Sequence, residues 1–103
     1  MENKDKYQHL FMSLVSSFEF QTLIALGKLK NPITDKIEKE LAHAQSAIDM
    51  LDMLSEKTKG NLSEYEKSYL ENTISQLKLN YVEESNKPQE NTDSKKEAEQ
   101  NSK

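Results

Sequence analysis

The sequence predicts an all-α protein of three helices. The second and third fold back on one another as an antiparallel hairpin, and a disordered polar tail follows. Three observations carry that expectation. Apolar residues recur at spacings of three and four up to Val82, the signature of helices with one buried face. Gly27, Pro32 and Gly60 fall at the breaks between those stretches, where helices end. Beyond Glu83 the composition turns abruptly polar.

The first helix is expected over Lys6–Leu26, after a frayed polar segment at residues 1–5. Tyr7, Leu10, Phe11, Leu14, Val15, Phe18, Thr22, Ala25 and Leu26 form one broad apolar face, while Phe20, Leu23 and Ile24 add apolar surface on another side. Such a helix wants two neighbours. Either two other helices of the chain grip it, or a second copy covers it. Its apolar stretch has the length of a membrane span, but Glu19, Lys28 and three Ser interrupt it, and a mid-membrane Glu is costly. Gly27 supplies a left-handed C-terminal residue, and Asn31-Pro32 marks a connector because the residue before Pro avoids the helical region.

The second helix is expected over Asp35–Lys59, with Thr34 or Asp35 as cap and Asp35 and Glu38 at capping-box spacing. Ile37, Leu41, Ala44, Ile48, Leu51 and Leu54 step by four and three, a seam of nearly heptad, coiled-coil period. Met50 and Met53 read as fillers of core gaps. Gly60 ends the helix, and Ser63-Glu64-Tyr65-Glu66 is a capping box that opens the third, expected over Glu64–Glu83. Tyr69, Leu70, Ile74, Leu77, Tyr81 and Val82 are its apolar positions. Two stripes joined by so short a turn pack antiparallel. The helical domain thus covers residues 6–83. Residues 84–103 hold one Ala and no larger apolar residue, too little to offset the entropy of ordering, so they read as a solubilising tail.

The charge balance narrows the partners. The net charge is −4, and all 14 basic residues are Lys. Without Arg the chain lacks the planar fork that reads phosphates and base edges, and an acidic protein is a poor match for nucleic acid or anionic lipid. Neither nucleic acid nor membrane is expected as a partner. Zero Cys removes disulfides and thiol chemistry. The first residues lack the basic-then-apolar layout of a signal peptide, so a cytoplasmic protein is expected.

Four groups of residues are candidates for function. Lys57, Thr58, Lys59, Gly60, Asn61 and Ser63 form the hairpin turn, where two Lys beside free helix amides suit an anion. The same residues are what any helical hairpin uses to stop and restart, and that structural role is favoured. Glu40 and His43 have the Glu-x-x-His spacing of di-iron bundles, but such sites need a second pair and further Glu, and His9 has Lys6 three residues before it. Asp49, Asp52 and Glu56 read as a solvated acidic line, Asp49 being placed to bond a neighbouring helix's Tyr or N-cap. Phe20, Leu23 and Ile24 with Tyr65 and Tyr69 are the candidate interaction surface, although Tyr at these positions also suits a core edge. No Ser/His/Asp set or paired carboxylate assembles, so no catalytic residue, cofactor or enzymatic activity is expected.

The run Ala44, Ile48-Asp49-x-Leu51, Leu54, Glu56-Lys57-Thr58-x-Gly60-Asn61-Leu62, Glu66, Leu70 and Leu77 to Tyr81 resembles the bacterial domain of unknown function numbered eighteen forty-four. Phe11, Leu14-x-Ser16, Leu26-Gly27 and Pro32 are similar to that family's first helix and connector. The resemblance covers about Leu10 to Glu83, and the Lys-Thr-x-Gly-Asn-Leu turn is its most specific part. Gln45 and Lys78 stand where many relatives carry Arg. The resemblance implies a short helical protein and supplies no activity. The functional expectation is a non-catalytic helical module that self-associates, a dimer being favoured, and that has room for an unidentified protein partner. The alternative is a small-anion or metal-binding protein that uses the Lys57–Ser63 turn or the Glu40/His43 pair.

Overall fold

The computed structural model describes residues 3–87, and the expected disordered tail lies, from residue 88 onward, outside them. Three helices follow in order: α1 (Asn3–Ala25), α2 (Leu41–Lys57) and α3 (Glu64–Ser85). They form a three-helix bundle in which each packs on the other two. The direction of each helix follows from its cross-links. Ser63 at the start of α3 donates to Gln8 (3.3 Å), Tyr69 bonds Ser16 (2.7 Å), and Lys28 just past α1 pairs with Glu83 (3.1 Å), so α1 and α3 run parallel. Helix α2 lies antiparallel to α3, with Asp52 and Lys78 paired at 3.1 Å.

The core is one main cluster of Val15, Ile48, Leu51, Leu70, Ile74 and Leu77, edged by Phe11, Phe18, Leu23, Leu54 and Tyr81. A smaller cluster of Ala25, Leu26 and Ala44 sits at the connector end and shares Tyr81 with the first. Fully burying each of these Leu, Ile or Val side chains contributes about 1.5–3 kcal/mol, so the heptad-spaced residues of α2 and α3 carry most of the fold. Thr22 is buried without penalty because its hydroxyl donates to the Phe18 carbonyl at 2.6 Å.

Both expected glycines take the left-handed conformation, Gly27 (φ +82°) and Gly60 (φ +84°), although α2 closes at Lys57, two residues short of the expected Lys59, with Thr58 as its C-cap. At Gly27 the Lys28 amide donates to the Leu23 carbonyl (2.9 Å) and the Gly27 amide to Ile24 (3.0 Å), the paired bonds of a Schellman motif. At the other turn the capping box is complete: Ser63 accepts from the Glu66 amide and Glu66 accepts from the Ser63 amide.

Two expectations need correction. The second helix begins at Leu41 rather than Asp35. Asn31 is the cause. Its side-chain oxygen accepts from the amides of Ile33 (2.8 Å) and Thr34 (3.4 Å), and its backbone bonds both Asp35 and Lys36. That closed turn competes with helix for the same amides. Asp35 is left at φ +60°, a left-handed conformation incompatible with a helix cap, and Glu40 takes the N-cap place with no side-chain bond. Ile37 is accordingly off the seam and 53 % exposed.

The second correction concerns α1. It starts at Asn3, and although α2 and α3 both pack against it, Tyr7, Leu10 and Leu14 of its expected core face stay exposed. Leu23, assigned to the other side, instead packs on the core.

Candidate functional site

Three places bring polar side chains together. The first is a joint that ties the end of α1, the connector and the end of α3. Helix α3 extends through Ser85, past the expected limit of Glu83, and Glu84 is 6 % exposed. Its carboxylate meets Lys28 (2.8 Å), Lys87 (2.8 Å) and Lys39 (2.9 Å). Bonds from Lys28, then Lys87 and Lys39, outweigh desolvation and hold its pKa down at about 2, below the ordinary 4.5. Lys28 is in turn raised, through its bonds to Glu84 and Glu83. Sequence reasoning placed Glu84 in the tail. The signal that marked it was register: Leu70, Ile74, Leu77, Tyr81 and Glu84 continue one stripe at steps of four and three.

The second place is the hairpin turn. Thr58, Lys59 and Gly60 line a cleft of about 370 Å³ with Lys67, Glu64 and Glu71. Its two ammonium groups face two carboxylates, so it presents no net positive field. The capping box engages the Ser63 and Glu66 amides, and Glu64 and Glu66 put negative charge at the start of α3. The helix dipole there is already complemented by carboxylates. This geometry supports a turn that stops and restarts the chain.

The third place lies where the C-terminal half of α1 meets the connector. A cleft of about 290 Å³ has Phe20, Ile24, Pro32 and Ile33 as its apolar part, with Glu38, Glu40 and His43 also lining it. Glu40 and His43 therefore do come together, but among the described residues no group of three or more His, Asp or Glu is arranged to hold a metal ion. Phe20 (47 % exposed) and Ile24 belong to this cleft, whereas Leu23 does not.

The remaining candidates divide between core edge and surface. Tyr69 is half-buried against the core with its hydroxyl on Ser16, and Tyr65 is exposed. The acidic line on α2 is spent on close partners. Asp49 accepts from Gln45 (2.9 Å) one turn before it rather than from a neighbouring helix, Asp52 pairs with Lys78, and Glu56 with Lys59. Gln45 and Lys78 thus have structural partners of their own. Among the described residues no helix is long and apolar enough to cross a membrane.

No curated protein and no solved structure matches the chain. A family match spans residues 8–83, which takes in most of α1, all of α2, α3 as far as Glu83, both glycine stops and the capping box. The chain belongs to the family described as Domain of unknown function (DUF1844).

Proposed function

We propose that this domain is a non-catalytic helical interaction module and that two copies associate through the outward side of α1. The observation that carries the reading is the stretch Tyr7, Leu10 and Leu14, spaced by three and four and exposed at 62, 53 and 46 % after α2 and α3 have packed. Met50 and Met53, expected to fill core gaps, are instead 47 and 44 % exposed and leave further apolar surface open on α2. Apolar residues scattered singly on a surface need no explanation, but a stripe at helical spacing marks an interface. A second copy is the natural cover, because one helix laid against its twin matches apolar surface with apolar surface and is self-complementary about a two-fold axis.

The test is the mass of the full chain by light scattering after size exclusion at micromolar concentration. The expected result is two chains per particle, reduced to one by Leu10→Lys with Leu14→Lys. A wild-type mass of one chain overturns self-association.

A further inference from the structure

The cleft between α1 and the connector points to a specific kind of occupant. Its apolar lining comes from Phe20, Ile24, Pro32 and the largely exposed Ile33, and the carboxylates in its lining are Glu38 and Glu40. Lys39 sits between those two acids in sequence but is drawn away to Glu84 at 2.9 Å. Among the described residues no Lys comes within ion-pair distance of Glu38 or Glu40. Glu38 holds only a neutral bond, from the Asn31 amide at 3.2 Å, and Glu40 caps α2 without a side-chain bond. The joint at Glu84 thus leaves the cleft with an acid pair that its own intervening lysine does not neutralise.

An apolar stem with a cationic head fits such a lining. The volume, about 290 Å³, falls just below the range for small-molecule sites, roughly 300–1,000 Å³. That suits one long side chain better than a complete cofactor. Arginine meets the arrangement more fully than lysine. Its planar guanidinium stacks on an aromatic face, here Phe20, and its several donors serve two carboxylates at once. We infer that the cleft receives an arginine side chain presented by a partner protein, stem against Phe20 and Ile24, guanidinium between Glu38 and Glu40. The chain itself has no Arg, so the occupant comes from a different protein and not from a second copy. The inference is independent of self-association, since Phe20 lies six residues, about 9 Å of helix, beyond Leu14.

The test is a methyl NMR titration of the full chain with N-acetyl-arginine amide, reading Ile24 and Ile33. N-acetyl-citrulline amide is the control, because it keeps the shape and removes the charge. The expected result is a saturable shift of both methyls with the arginine probe. Binding should be about five-fold weaker for citrulline and for Glu38→Gln with Glu40→Gln, the fold-change that about 1 kcal/mol of exposed ion pairing gives. Both glutamates are exposed, so the double variant stays folded, which its unperturbed core methyls would verify. Equal shifts with citrulline, equal shifts with N-acetyl-lysine amide, or no shift at all overturns the assignment to arginine.

Discussion

At the scale of single residues, Glu84 is the charged side chain whose loss should be felt most. A carboxylate held at about 2 rather than 4.5 releases its proton more readily folded than unfolded. Its contribution is therefore complete above the ordinary carboxylate value and is lost as pH falls from about 4.5 toward 2. The shift corresponds to at most about 3 kcal/mol at neutral pH, less whatever solvent screens at lysines that are 30–53 % exposed. Glu84→Gln should lower stability at pH 7 by about 2 kcal/mol, and its urea midpoint should fall less than that of the wild type on acidification. Parallel acid limbs for the two proteins would contradict this. The two glycines make a second prediction. Gly27→Ala and Gly60→Ala each force a Cβ onto a left-handed backbone, at about 1–2 kcal/mol apiece. Gly60 opens onto free space, while a Cβ at Gly27 meets Lys39 at 3.4 Å. That distance is ordinary van der Waals contact, so neither site adds a clash to the backbone strain, and thermal melts should show comparable losses for the two variants. What was legible in the sequence differs between these sites. A glycine after a periodic stretch announces itself, because the requirement is local. Glu84 does not, because a charged residue reads as solvent-facing until Lys28 and Lys39, from distant parts of the chain, are brought round it to join the neighbouring Lys87.

At the scale of elements, the hairpin and the connector show why one turn was readable and the other was not. The 57–66 segment carries its own instructions. Gly60 turns the chain, Ser63 and Glu66 satisfy each other's amides, and the bonds that stop one helix and start the next are made within a few residues. The Asn31–Glu40 connector mixes local and distant terms. The Asn31 side chain closes the turn locally, but the Glu40 amide donates to the Ala25 carbonyl at 2.7 Å and Lys39 reaches α3. Propensity and the Asp35/Glu38 spacing favoured helix there, and those tertiary bonds prevailed. Asn31→Ala separates the two influences. It removes the acceptor for Ile33 and Thr34, and the expected loss is about 1 kcal/mol. The connector should remain non-helical, because the ties to α1 and α3 survive. A gain of helical circular dichroism equivalent to a turn or more would show that Asn31 alone holds α2 back to Leu41.

At the scale of the whole molecule, the balance between buried and exposed apolar surface decides how the domain behaves in solution. Its three helices share a narrow core, and no disulfide is available to reinforce it. Small domains of this kind have cores worth about 3–5 kcal/mol, and oligomerisation is a common supplement. If two copies share the Tyr7, Leu10 and Leu14 stripe, folding and association are linked, and the melting temperature must rise with concentration. A tenfold rise in chain concentration adds about 1.4 kcal/mol per dimer, or about 0.7 kcal/mol per chain. For a domain of this size that corresponds to about 3–6 °C. The variant with Leu10→Lys and Leu14→Lys should melt at a temperature independent of concentration. That temperature should lie close to the wild-type value at high dilution, because both leucines are already about half exposed in the single chain and their loss costs the core little. A flat wild-type series would leave the stripe without a second copy. A variant that melts far below the diluted wild type would instead mean that Leu10 and Leu14 support the bundle itself.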